Sequence, residues 1–172
     1  MSIVIRKAEL ADIAGIRQVA KWSWNATYKE LIPEKIQQLF LERAYQDEVL
    51  RKRIRNHLFL VAEDHGRVIG FASGQKRGNQ GELSSIYLLP EYQRKGIGSE
   101  LLNRFISLLS PVDSIIVEVE KGNRIGENFY EARGFRLVAE YDEDFFGHTL
   151  HTKKMILPLQ SASGFSPEEK QK

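Results

Sequence analysis

The sequence contains no cysteine. That excludes disulfides, zinc sites built on sulfur, a thiolate nucleophile and any acyl transfer that passes through an acyl-cysteine. Charge of one sign is also lacking: 25 Lys and Arg against 23 Asp and Glu leave a net charge of +2. So small an excess argues against nucleic acid or an anionic membrane as a partner. No apolar run approaches the roughly 18–20 residues of a membrane span, and the N-terminus has no signal-peptide pattern. The expectation is a cytoplasmic protein. Four histidines, His57, His65, His148 and His151, remain as conceivable metal ligands. His148 and His151 lie in a strand-like stretch at an odd spacing, which puts them on opposite faces, so no metal is expected.

What is present fits one globular domain: 172 residues, 42% hydrophobic and 28% charged, with length enough for a substantial core. The domain is expected to span residues 1–158. The tail over 159–172, rich in Ser, Gly, Glu and Lys from Gln160 onward, is expected to be disordered.

Periodicity orders the elements. "IVIRKA" (Ile3–Ala8) alternates as a strand, and Ile13, Ile16, Val19 and Ala20 recur at helical spacing between Glu9 and Trp24. Pro33 opens a second helix carrying Ile36, Leu39 and Phe40, and Gln46–Arg55 reads as a third, whose Arg51, Lys52, Arg53 and Arg55 form a solvated face. "LFLVAE" (Leu58–Glu63) and "VIGFASGQ" (Val68–Gln75) make a hairpin, and "ELSSIYLL" (Glu82–Leu89) is the fourth strand. A helix to about Leu109, the strand "SIIVEVE" (Ser114–Glu120) and a helix from Asn123 to Arg133 that stops at Gly134 come next. "FRLVAEY" and "HTLHTKKMIL" close the domain as strands joined by an acidic turn, "DEDFFG". This order predicts a mixed α/β sheet with helices on both faces.

Between the fourth strand and its helix stands "LPEYQRKGIGSELL". Glycines at a helix start let unpaired N–H groups converge on an anion, and Arg94 and Lys95 add charge. A Walker loop would close its second glycine with a Lys-Ser/Thr pair, where Ser99 and Glu100 follow. A dinucleotide fingerprint would place a third glycine where Leu101 stands. Both patterns are set aside.

Downstream, "NRIGENFYEARGF" holds Asn123, then Phe129-Tyr130, then Gly134-Phe135. These two blocks together resemble the GNAT superfamily of N-acetyltransferases. Its acetyl-CoA signature is Gln/Arg-x-x-Gly-x-Gly/Ala, and its second block is Asn followed by Phe-Tyr and Gly-Phe. The match extends in element order from about Ile3 to Leu157, nearly the whole chain.

The resemblance implies a mostly antiparallel sheet of about seven strands, splayed between the fourth and fifth. It implies acetyl-CoA as cosubstrate, its pyrophosphate wrapped by Gln93, Arg94, Lys95, Gly96, Ile97, Gly98 and Ser99. Its pantetheine arm would lie beside Ile86, Tyr87 and Leu88, with the Leu88 N–H as oxyanion donor. Lys76 and Arg77 are within consideration for the ribose phosphate, though solvated turn residues are the simpler reading. Asn123 would cap its helix and contact the arm.

Moving acetyl from a thioester to an amine requires deprotonation of a group with a pKa of about 10, an oxyanion donor and a donor to the leaving thiolate. Tyr130, matched to the family tyrosine, is the candidate acid, and Phe129 a core aromatic. Glu82 is the candidate base, because several family members, histone-acetylating ones among them, place a glutamate eleven residues before the loop's glutamine. Glu118 and Glu120 are its rivals.

For the acceptor, Trp24 and Tyr28 are four residues apart on one helix face and are candidates to line a pocket, with Glu118 beside them. Trp22 falls near the apolar stripe and is expected in the core. Glu30, Glu34, Asp142, Glu143 and Asp144 are as consistent with attraction of a cationic amine or polyamine as with ordinary surface charge. The leading expectation is direct acetylation of a small-molecule primary amine in a ternary complex. The alternatives are a protein N-terminus or lysine as acceptor, or a CoA-binding sensor without catalysis. Family members are often dimers, so the resemblance leaves a homodimer open.

Overall fold

The computed structural model describes residues 2–159; the expected tail, Leu159 apart, lies outside them. Leu159 itself is anchored, its N–H donating to the Asp113 carbonyl at 2.8 Å. The elements run β1 (Ile3–Lys7), α1 (Ile13–Tyr28) after a short 3-10 turn, α2 (Glu34–Ala44), α3 (Asp47–Asn56), β2 (Leu58–Asp64), β3 (Arg67–Arg77), β4 (Gln80–Leu88), α4 (Ile97–Leu109), β5 (Ser114–Glu120), α5 (Arg124–Ala132), β6 (Arg136–Phe145) and β7 (His148–Pro158). The seven strands form one sheet in the order β1-β2-β3-β4-β5-β7-β6. All neighbours are antiparallel except β4 and β5. No helix among the described residues is long and apolar enough to cross a membrane.

Helices cover both faces. Tyr45, at the end of α2, packs on Phe71 of β3, and Arg53 of α3 bonds Ser73 on that side. On the other side Phe105 of α4 stands against Gly74. Phe71, Phe105, Ile16, Leu60, Ile69 and Leu101 are among the fully buried side chains, so the core lies on both sides of β2 and β3.

Three local expectations are corrected. Trp22 is 56% exposed. At about 100° per residue it lies opposite the stripe formed by Ile13, Ile16, Ala20 and Ser23, which α1 continues through Trp24 to Tyr28. The "DEDF" segment is strand, not turn: β6 reaches Phe145, and the reversal is Phe146-Gly147, both at positive φ (54° and 85°), as a two-residue hairpin loop requires. Arg53 is no solvated-face residue. Its guanidinium donates to Ala44 O, Ser73 Oγ and Ser85 Oγ at 3.1, 3.0 and 3.3 Å and stacks over Tyr45 and Phe59.

That arginine marks the feature that positions the site. The β3–β4 register shifts between Ser73 and Gly74, pairing Ser73 with Ser85 and Gly74 with Leu83 and leaving Ser84 as an extra residue. A bulge of this kind bends its strand and disrupts pairing locally. The β4–β5 ladder accordingly covers only Gln80, Gly81 and Glu82 against Ser114, Ile115 and Ile116. Gly74 permits the bulge, since a Cβ there would lie 1.9 Å from the Glu82 carbonyl oxygen. Replacing Gly74 with Ala is therefore expected to lower the urea midpoint by the equivalent of about 3 kcal/mol, with native far-ultraviolet dichroism below the transition.

Candidate functional site

Past Glu82 the edge of β4 is free. Leu89 N–H donates to Ile69 O across β3, and Tyr87 pairs with Phe71 in the same register. Alternation along an antiparallel ladder then turns the N–H groups of Ile86 and Leu88 away from β3, towards the gap. A cleft of about 490 Å3 occupies that gap. Its walls are β4 from Leu83 to Leu88, the loop to α4, β5 at Glu118 and Val119, α5 from Asn123 to Tyr130, and the end of α1 at Thr27 and Tyr28.

The loop is built by left-handed backbone. Arg94 has φ 62° and Gly96, the residue capping α4, has φ 86°. The first helical bond runs from Glu100 N–H to Gly96 O, so the N–H groups of Ile97, Gly98 and Ser99 precede the ladder. Gly98 lines the cleft and also has a packing role that the sequence did not show. It lies inside the helix, and a Cβ there would meet Phe129 Cε1 at 2.9 Å, so it is the close approach of α5 that excludes a side chain.

Most of the sequence candidates converge. Ile86, Tyr87, Leu88, Gln93, Arg94, Gly96, Gly98, Ser99, Asn123, Tyr130, Tyr28 and Glu118 all line the cleft. Four do not. Ile97 is 2% exposed and belongs to the core, and Lys95 is exposed beside the loop. Trp24 stacks on Phe40 at 4.3 Å behind Tyr28 and leaves Tyr28 as the ring that reaches the cleft. Glu82 sits where β4 is still paired on both edges, and its Oε1 accepts from Arg77 Nε at 3.0 Å and Gln75 Nε2 at 3.4 Å. That pair also engages Arg77, one of the two cations considered for a ribose phosphate.

Sequence reasoning missed Arg133. Its guanidinium donates to Ser99 Oγ (2.9 Å from Nε) and to Phe129 O (2.8 Å), and lies 3.8 Å over the Phe129 ring. It thus ties the loop to α5 and adds a cation to the cleft wall, and the desolvation that lowers its pKa reflects that position. The signal was its place just before Gly134, where an arginine reads as an ordinary partner for the helix dipole. Phe129, expected as core, is a cleft wall. Ser84, Arg124 and Asn128 also line the cleft and carried no sequence signal.

Three phenols meet at the inner end. Tyr28 and Tyr87 hydroxyls stand 3.3 Å apart. Burial pushes the pKa of Tyr28, Tyr87 and Tyr130 upward, most strongly at Tyr87, and hydrogen bonding with Tyr87 and Asn123 partly offsets the rise at Tyr28. Tyr130 is therefore a protonated donor throughout the neutral range. Asn123 caps α5 as expected, its Oδ1 accepting from Gly126 N–H at 3.0 Å. Glu118 accepts from the Tyr141 hydroxyl. Among the described residues no group of three or more acidic or histidine side chains is placed to hold a metal.

Against known proteins, the model of the acetyltransferase (GNAT) family matches residues 16–135. A spermidine N(1)-acetyltransferase of Thermoplasma acidophilum is 31% identical, covering 84% of this chain and 95% of the relative. An uncharacterized N-acetyltransferase of Bacillus subtilis is 30% identical over 78% of this chain and 88% of its own length. Among solved structures, the PaiA N-acetyltransferase of T. acidophilum in complex with coenzyme A superposes with a TM-score of 0.79 at 30% identity, covering 90% of this chain and 99% of that one.

The phenol cluster generates a stability prediction. An unfolded phenol titrates near pH 10, and the folded values lie above it, so the unfolded chain releases its protons first. The stabilisation is fully present below about pH 10 and is lost as pH rises beyond it. Thermal melts from about pH 9 to 11 should fall more steeply for the native protein than for a Tyr28→Phe, Tyr130→Phe double variant.

Proposed function

The chain belongs to the GNAT acetyltransferase family, and from that premise we propose that it moves an acetyl group from acetyl-CoA directly to a primary amine of a small cationic molecule. The observation that carries this reading is the free edge of β4, facing Tyr130 across a cleft that begins at a left-handed loop.

The residues present fit the cosubstrate. The N–H groups of Ile97, Gly98 and Ser99, with Gln93, Arg94 and Arg133 around them, would hold the pyrophosphate. The edge N–H of Ile86 would pair with an amide of the pantetheine arm as a neighbouring strand would, which leaves the Leu88 N–H for the acetyl oxygen. When bound, acetyl-CoA supplies the acetyl group already activated as a thioester.

The rest is done by this chain's side chains and backbone. The Leu88 N–H stabilises the charge that develops on the acetyl oxygen. Tyr130 donates its phenolic proton to the departing sulfur; its raised pKa keeps the phenol in the protonated form before transfer. Proton removal from the amine falls to Glu118 through water. Glu82, the residue first favoured, is bonded to Arg77 and Gln75 and does not line the cleft, whereas Glu118 does.

Two features support a small acceptor over a protein one: the ring of Tyr28 closes the inner end, and a relative of 31% identity is named for spermidine. Retention of both a donor and a base supports catalysis over a sensor.

The test is release of CoA thiol by purified protein given acetyl-CoA and a panel of amines, amino acids and peptides. Turnover on small amines supports the reading; failure to bind acetyl-CoA would sink it. Tyr130→Phe is expected to lower kcat about 100-fold with acetyl-CoA affinity little changed. A comparable loss of affinity would make Tyr130 a packing residue.

A further inference from the structure

Glu120 is the last residue of β5 and is only 9% exposed. Alternate residues of a strand share a face, so it stands with Glu118 on the side covered by α1. Its cross-strand partner Thr152, and Tyr141 and Glu143 beyond it on β6, face the same way. Three carboxylates thus gather beside Tyr28, and two of them are satisfied: Glu118 by the Tyr141 hydroxyl and Glu143 by Thr152 Oγ1 at 2.7 Å. Glu120 is not. Its Oε2 receives one long bond from the His151 N–H at 3.4 Å, and its Oε1 has no partner. No Lys, Arg or His side chain pairs with it among the described residues.

A buried carboxylate without a partner requires either a proton or a cation. The groups near it are Tyr28 from α1, Thr152, His151 and His148 from β7, and Glu143 from β6; desolvation raises its pKa, and the two histidines partly offset the rise. The Tyr28 phenol, which lines the cleft, feels the Glu120 charge directly. Trp24, Phe40 and Phe145, in mutual contact, back the Tyr28 ring, which is the aromatic face the cleft presents to methylene groups and to cations. Along the strand the Cα atoms of Glu118, at the cleft wall, and Glu120, behind it, are about 6.6 Å apart. That is the span of a short methylene chain between two nitrogens.

Resting on the acetyltransferase reading above, we propose that the acceptor is a linear diamine or polyamine and that Glu120 binds its second ammonium group, the one that is not acetylated. Glu120 is then a specificity residue: an amine with a single charge lacks its contact, while the reacting nitrogen stays near Glu118.

The test compares native protein with Glu120→Gln, using spermidine, putrescine and butylamine as acceptors, and calorimetry of spermidine binding without acetyl-CoA. The substitution is expected to raise KM for spermidine and putrescine at least about tenfold. It should leave kcat, and every parameter for butylamine, within about twofold. Gln imitates the protonated acid, so unchanged KM for the two polycations would show Glu120 buried as a neutral group and overturn the proposal. A fall in kcat on all three amines with a displaced pH profile would make Glu120 the base and also overturn it. Should Glu120→Gln fail to fold by circular dichroism, Glu120→Asp keeps the charge and shortens its reach, and the same selective rise in KM is expected. Spermidine binding that depends on Glu120 without turnover of any amine would leave this subsite standing and reject the acetyltransferase reading. No spermidine binding by native protein would reject the subsite alone.

Discussion

The parallel ladder between β4 and β5 ends after three residue pairs, and the bulge at Ser84 is why it ends there. The Gly74 backbone approaches the Glu82 carbonyl too closely for any side chain. Ser73 and Ser85 bond each other at 2.6 Å, and Arg53 reaches from α3 to bond both. Beyond this pinned point β4 bends away from β5, and backbone groups that would have paired in a sheet are left facing a cleft. A free strand edge is ordinarily a hazard that proteins cover. Here α4, α5 and α1 wall it in, so that only an extended chain of matching amides can use it.

The same bend decides which elements meet. Separation of β4 from β5 opens a passage through the sheet, joining the side of α4 and α5 to the side of α1. The loop capped by Gly96, with Arg94 and Arg133 beside it, lies at one mouth and is cationic; toward the other stands Glu118, with the carboxyl groups of Glu120 and Glu143 on the same face of the sheet. A near-neutral chain with 25 basic and 23 acidic residues thus places arginines at one end of the cleft and a carboxylate at the other. Tyr28, Tyr87 and Tyr130 occupy the narrow part between, where burial keeps all three protonated. The division suits a reaction between an anionic donor and a cationic acceptor.

What could be read from the sequence was what local spacing encodes. The order of strands and helices, the loop from Gln93 to Ser99 and the Asn123 cap each rest on residues near one another in the chain. Contacts between distant segments were not legible. Arg53 looked like one charge in a basic run, because nothing in that run tells of two serines on β3 and β4. Glu82 was placed by its distance from Gln93, but its pairing with Arg77 depends on how the β3–β4 hairpin folds back. Trp22 and Trp24 differ by two residues, and 200° of helix rotation separates a solvent-facing ring from a buried one.

Glu120 shows the same limit from the other side. In "SIIVEVE" it was indistinguishable from Glu118, since both occupy the polar phase of one alternating strand. Their environments diverge in exposure and in partners. Glu118 keeps contact with solvent and the Tyr141 hydroxyl, while Glu120 is buried near Tyr28 with one long bond to Oε2 and no partner for Oε1. Burying an unpaired carboxylate is unfavourable. A cost of that kind, carried beside a cleft already lined with phenols, is most simply offset by a ligand that brings the missing positive charge.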